Sequence, residues 1–166
     1  MFKKILFVIT TLLSTVVFAE VKFRIDEGGQ YIQGALGFGP GGIGLGGDYE
    51  LGLANDVTWG GMLRFYPENT SASKSKVLHI GAFIRPHWVR GSWDFYTNMG
   101  AGITTASDPN RNETMVTPTI GIGTSLALTQ SISLSIESLT VYGITTDFYR
   151  GPFNTDYMFK MRFRLN

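Results

Sequence analysis

From Tyr31 to Leu165 apolar side chains recur at every second position, in runs separated by Gly, Asn, Asp, Ser and Pro. Period two is the repeat of a pleated strand, whose successive side chains point to opposite faces. One face holds Ile32, Leu36 and Phe38, then Ile43, Leu45, Tyr49, Leu51 and Leu53, then Val57, Trp59, Leu63 and Phe65. It continues through Leu78, Ile80, Ala82, Ile84 and Trp88, and through Trp93, Phe95, Met99 and Ile103. Val116, Ile120, Ile122, Leu126 and Leu128 follow, then Ile132, Leu134 and Ile136, and last Tyr157, Phe159, Met161, Phe163 and Leu165. The pattern predicts eight strands of roughly ten residues each, the length at which a tilted strand crosses a bilayer. In the seventh, the alternation falters near Ser138, so a bulge is expected to move Leu139 and Val141 to the other face. Pro86 and Pro118 are expected toward strand ends, where a lost ladder hydrogen bond is tolerated.

The opposite face settles which medium lies where. It carries Gly, Ser and Thr together with nearly every strand charge. Small residues suit the narrow interior of an eight-stranded barrel, so the bulky apolar face is expected to meet lipid. The competing arrangement, a soluble barrel with its apolar face around a ligand, would need the bulk inside. Composition agrees with a membrane barrel: 21 Gly in 166 residues and only 16% charged residues. A disordered chain, a coiled coil and a disulfide scaffold are excluded. With no Cys, thiol catalysis and Cys-ligated metal sites are excluded as well. A formal net charge of +1 offers no footprint for nucleic acid.

The start of the chain reads differently. Lys3 and Lys4 precede an apolar run from Ile5 to Phe18, and Val17-Phe18-Ala19 ends it with a small residue. This is the pattern of a secretory signal peptide over residues 1–19. The run would rise about 21 Å as a helix, short of the roughly 30 Å hydrocarbon layer. Its removal takes Lys3 and Lys4 from the 14 cationic residues and none of the 13 acids, leaving a charge of −1. Beyond it no apolar stretch is long enough for a spanning helix, so entry into a membrane requires a closed barrel.

Connector lengths alternate. The joins at Ala54–Asp56, Val89–Ser92 and Thr129–Ser131 are short. Those at Pro67–Ser75, Thr105–Glu113 and Thr145–Thr155 are expected to be long and polar, and the one near Gly39–Gly42 is tight. All the long joins then lie at one end, as in bacterial outer-membrane barrels with short periplasmic turns and longer external loops. In signal peptide, strand count and loop asymmetry, residues 31–166 resemble the small eight-stranded barrels of the outer-membrane protein A and X type. That resemblance implies an all-β, antiparallel, up-and-down transmembrane barrel in the bacterial outer membrane, delivered to the barrel-assembly machinery. Such barrels usually end in an aromatic residue, whereas this chain ends Phe163-Arg164-Leu165-Asn166.

Residues 20–30 stand outside the scheme. Val21, Phe23 and Ile25 alternate with Lys22, Arg24 and Asp26, and parity flips across Gly28-Gly29. A periplasmic extension, a bulged strand start and an extra strand all satisfy this.

No catalytic, cofactor or metal site is expected. Gly37, Gly39, Gly42 and Gly44 look like a phosphate loop, but a strand follows them and not a helix. His79 and His87 share the inward face of one strand about 26 Å apart, too far for one metal. The informative inward set is ionic: Asp48, Glu50, Asp94 and Glu137 against Arg64, Arg85, Lys160, Arg162 and Arg164. Buried charges need partners, so these, with both histidines, are expected to form a lumen network that plugs the barrel. Trp59, Phe65, Trp88, Trp93, Tyr157 and Phe163 are expected at the membrane interfaces. Lys74 and Lys76, with Phe148, Tyr149, Arg150 and Phe153, are candidates for loop contacts, including with lipopolysaccharide.

One register follows from turn chemistry. A two-residue turn at Arg90-Gly91 would set Trp88 opposite Trp93 and His87 opposite Asp94. The function expected is that of a non-enzymatic outer-membrane barrel supporting envelope integrity or surface interaction, as a monomer in outer-membrane lipid. A narrow porin-like pore for small or apolar solutes is the first alternative, and a lipid-modifying barrel enzyme the second.

Overall fold

Eight strands close on themselves in the computed structural model, which describes residues 21–39, 42–69, 75–107, 109–144 and 151–165. They are β1 (Gln30–Gly39), β2 (Gly42–Ala54), β3 (Val57–Asn69), β4 (Ser75–Arg90), β5 (Trp93–Ser107), β6 (Asn112–Ala127), β7 (Ile132–Gly143) and β8 (Gly151–Arg164). Each pairs antiparallel with the next, and β8 pairs with β1 from Tyr31↔Arg164 to Phe38↔Tyr157. The segment read as a signal peptide, and the loop candidates Lys74, Phe148, Tyr149 and Arg150, lie outside the described residues.

Two rims differ. At the first, strands are joined by tight turns. In Asn55-Asp56, Asp56 takes φ 64° and the ladder slips by one residue between Gly52 and Ala54. An Asp side chain tolerates this left-handed conformation better than most. In Gly91-Ser92, Gly91 takes φ 62°. Glycine stands first of the two central residues, the position that a type II′ hairpin requires to be left-handed.

That turn corrects the expected register. Arg90 pairs with Trp93, Trp88 with Phe95, and His87 with Tyr96. The turn is centred on Gly91-Ser92 and not on Arg90-Gly91, which displaces the ladder by two residues. A displacement of two preserves facing, so Trp88 and Trp93 still share the outer surface while His87 and Asp94 become diagonal neighbours. Pro86, which has no N–H to give, interrupts the same ladder between Ile84↔Met99 and His87↔Tyr96. Pro118 is not near a strand end: it stands within β6, opposite Ala101. Its cost is contained because the β6–β7 ladder begins only at Thr119↔Val141.

At the second rim the strands run further than alternation suggested. β5 continues to Ser107 and β6 starts at Asn112, so residues expected in a long loop from Thr105 to Glu113 are laddered. The physical reason is that a strand leaving lipid has no apolar face to display. There the outer contacts become polar, as in the Thr105–Thr114 hydroxyl pair at 3.2 Å. Lys76 is exposed within β4 opposite Ser107, and Phe153 belongs to β8 and not to a loop.

The β7 bulge expected at Ser138 is absent. The β6–β7 ladder stays in one register from Thr119↔Val141 to Ala127↔Ser133, and Leu139 and Val141 keep the parity of Glu137 and point inward. The irregularity lies across the next ladder, between Val141 and Tyr142 on the β7 side.

The two faces have opposite character. Ile32, Leu36, Leu45, Leu63, Ile80, Ile84, Met99, Ile120, Ile122, Ile136 and Phe159 all expose a large share of their surface on the outside. Among the described residues, charged side chains outside the lumen sit only near the rims or in the terminal segment. An outward Arg or Lys at mid-bilayer would cost about 2–4 kcal/mol, and none stands there among the described residues.

Candidate functional site

The barrel interior is built in layers, each supplied by the inward parity of the strands. Alternate positions bring Asp48 and Glu50 from β2, Arg64 from β3, Arg85 from β4, Glu137 from β7, and Lys160 and Arg162 from β8 to the middle layer. All are nearly free of solvent contact. Asp48 is the hub: Arg64 lies at 2.5 Å, Lys160 at 2.8 Å and Arg85 at 3.1 Å. Glu137 meets Lys160 at 2.6 Å and Arg85 at 3.4 Å. Glu50 pairs with Arg85, takes Arg162 at 3.2 Å, and accepts a hydrogen bond from the Gln33 amide at 2.5 Å. Five strands are thereby tied through one ionic cluster, and the Gln33 amide adds β1.

The guanidinium planes are held as well as paired. Arg85 lies over the rings of Phe83, at 4.4 Å, and Tyr96, at 4.8 Å. Arg162 lies over Tyr31 at 3.8 Å. Guanidinium stacking on an aromatic face adds attraction where water is excluded. The tyrosines are seated by glycines. A Cβ at Gly123 would stand 2.5 Å from the Tyr96 hydroxyl, and one at Gly44 would stand 2.6 Å from the Tyr66 ring. Gly44 and Gly123 are therefore recesses for aromatic rings.

The histidines occupy separate places. His79 exchanges hydrogen bonds with the hydroxyls of Thr104 at 2.9 Å and Thr117 at 3.2 Å, with no carboxylate among the described residues bound to it. His87 Nδ1 meets Asp94 at 2.8 Å, and its Nε2 meets the Thr58 hydroxyl at 3.1 Å. Hydroxyl, imidazole and carboxylate in series are the parts of a nucleophile relay. Here all three are buried, and Thr58 shows no surface at all. The series ties β3, β4 and β5 together across the lumen.

Arg164, expected in the lumen network, does not join it. It sits part-exposed at the short-turn rim, paired with Asp26 at 2.7 Å, because it is the last residue of β8 and its side chain leaves the barrel mouth. Sequence reasoning missed Asp156. It is fully buried one layer nearer the second rim, where the Asn154 amide donates to it at 2.6 Å. Its inward parity in β8 was the available signal. Also missed was an apolar upper layer of Tyr66, Val77, Ala106, Met115, Val141 and Met158. Of the proposed interface aromatics, Trp59, Trp88, Trp93 and Tyr157 are largely exposed on the outer face, and Phe65 and Phe163 somewhat less so.

The terminal segment proves to be part of the interior. Residues 21–29 cross the mouth at the short-turn rim. Phe23 donates its N–H to Gly91 O at 2.9 Å, and the Ser92 hydroxyl donates to Val21 O at 2.6 Å. Gly28 and Gly52 are joined by a 2.9 Å backbone bond, and Gly52 and Gly29 by one of 2.8 Å. Phe23 and Ile25 are buried against Ala127, with Val21 and Val89 beside them, and Arg162 lies 5.1 Å over the Phe23 ring. Gly28, at φ 74°, reverses the chain into β1 and accounts for the parity flip.

Solved structures share this architecture. The N-terminal β-barrel domain of Pseudomonas aeruginosa OprF superimposes with a TM-score of 0.60 at 14% identity, over 82% of this chain and 95% of that one. Neisserial surface protein A gives 0.59 at 14% identity over the same shares. The Yersinia pestis outer membrane protein Ail, in a phospholipid bilayer nanodisc, gives 0.55 at 12% identity over 84% and 100%. No family model and no curated protein matches the chain. The chain has the fold of the small eight-stranded transmembrane barrels.

Proposed function

We propose that the chain is a non-enzymatic barrel of a bacterial outer membrane that supports the envelope or presents its outer loops for surface interaction. One observation carries the reading. The described outer wall is uncharged between its rims, while the charges of the middle strands are turned inward and paired. A wall of this kind is stable only in hydrocarbon, and as a closed barrel it leaves no sheet edge unsatisfied. The likeness to Ail, described as an outer membrane protein, and to a neisserial surface protein supports the location. The signal peptide read over residues 1–19 supports export. The lumen is closed by its side chains: Asp48, Glu50, Arg64, Arg85, Glu137 and Lys160 occupy the cross-section that a conducted solute would need. Outer-membrane lipids are then its surroundings, the barrel-assembly machinery its route of insertion, and lipopolysaccharide a partner for the outer end that carries Lys74, Lys76, Phe148, Tyr149, Arg150 and Phe153.

The test is conductance of the purified, refolded barrel in planar bilayers, with gel mobility before and after boiling as the control for folding. We expect a heat-dependent mobility shift and no steady single-channel conductance. Stable conductance steps would replace the closed barrel by the pore reading. Folding as a monomer in detergent-free buffer would remove the membrane assignment.

A further inference from the structure

We propose that residues 21–29 form a latch that closes the short-turn mouth of the barrel and controls water access to the lower lumen, opening without the barrel opening. Three observations place it. First, its backbone bonds reach two separate hairpins, through Gly91 and Ser92 and through Gly52, while Phe23 and Ile25 pack on Ala127 at the end of β6. A segment anchored to successive turns around a rim bridges the opening and does not extend the sheet. Second, its two side-chain locks fall on one strand of the wall. Asp26 pairs with Arg164, and Phe23 lies under Arg162, which itself reaches Glu50 in the ionic cluster. Third, the segment leaves little room against the wall: the cleft lined by Phe23, Tyr31, Ala127, Ser133 and Arg162 among others measures about 20 Å³. That volume holds about one water molecule.

The latch is also weaker than the wall it closes. Each barrel strand is bonded on both sides, whereas residues 21–29 hold three backbone bonds and one hydroxyl bond to the turns, and Arg24 is largely in solvent. Segments with few buried contacts open at lower free energy than laddered strands. Opening it would uncover Phe23, Arg162 and the Glu50 side of the cluster to water. Higher up, the Asp48–Arg64–Lys160 contacts would remain in place. The barrel thus has two seals in series, one removable and one built into the wall.

The absence of native Cys makes the test clean. Ser133→Cys, beneath the latch, and Thr117→Cys, above the ionic cluster, are made separately and the protein is placed in lipid nanodiscs, which leave both rims open. Modification by a cationic methanethiosulfonate reagent is timed with the latch intact and with Phe23→Ala plus Asp26→Ala. Loss of both locks is expected to speed modification at Ser133→Cys by at least about tenfold, and to leave Thr117→Cys unchanged. Equal rates with and without the locks would overturn the proposal. So would equal acceleration at both positions, since that reports a loosened barrel. Hydrogen exchange on the unaltered protein tests it independently of any variant. The Phe23 and Gly28 amides should exchange at least about a hundredfold faster than those in the β1–β8 ladder. Exchange at the same rate as the ladder would mean that latch and barrel open together, and the proposal would fall.

Discussion

Lys160 of β8 crosses the lumen to Asp48 of β2 at 2.8 Å, joining positions 112 residues apart in the chain. Asp48 also holds Arg64 and Arg85, so one carboxylate faces three cations. The pairing is lopsided, and the two partners are unequal in what their loss leaves behind.

Asp48→Asn would leave Arg64, Arg85, Lys160 and Arg162 to Glu50 and Glu137 alone. A buried charge stripped of its partner costs about 3–5 kcal/mol. Lys160→Met leaves three acids facing three guanidinium groups in the same cluster, and should cost markedly less. Urea titration of both variants in lipid vesicles, read by tryptophan fluorescence, gives the ranking. Equal losses would mean that the cluster's charge balance does not govern its stability.

The outer wall makes a second prediction. Ile120 is 61% exposed on the outside of β6. Ile120→Arg would be close to neutral on a soluble surface. Facing hydrocarbon it should cost about 2–4 kcal/mol, and Lys76→Ala at the rim should cost little. Reversible unfolding from vesicles of defined thickness separates the two cases.

Ring seating gives a third. A Cβ at Gly123 would meet the Tyr96 hydroxyl at 2.5 Å and its Cε2 at 2.7 Å. Gly123→Ala should therefore lose about 1–3 kcal/mol, the usual cost of overpacking. In a Tyr96→Leu background the same change should cost less, because the ring it strikes is gone. Additive losses in a double-mutant cycle would show that the glycine is needed for another reason.

Turn chemistry supplies the last. Gly91 sits at φ 62°, and a β-branched residue there is strained. Gly91→Val should cost about 1–2 kcal/mol and slow assembly of the β4–β5 hairpin. Asp56→Gly, at φ 64°, should be neutral or slightly stabilising. Folding rates into micelles, followed by the gel mobility of unboiled samples, report both.

Facing was legible in the sequence because parity has only two values and the membrane rewards one of them. Leu63 out and Arg64 in, or Phe159 out and Lys160 in, needed no structure. Register was less legible. A shift of two leaves every facing unchanged, so parity is silent between a turn at Arg90-Gly91 and one at Gly91-Ser92, and the left-handed preference of Gly91 decides it. Leu139 and Val141 were misread for a related reason. Alternation registers contrast between faces, and where the lumen itself turns apolar the contrast vanishes. The latch was hidden because its parity is broken by a single left-handed glycine, and its partners lie on two turns far along the chain. Arg164 shows the limit of parity at a strand end, where an inward direction no longer leads inside.

The seam between β1 and β8 imposes an order on how such a molecule comes into being. Ile32 finds Phe163 and Phe38 finds Tyr157 only when both β1 and β8 are present. Until then two rows of backbone amides and carbonyls lack partners, and hydrocarbon offers them none. A copy that lacks β8 is not a smaller version of the native object but an open ribbon with two unsatisfied borders. Insertion and closure must therefore be completed together, by a chain released whole.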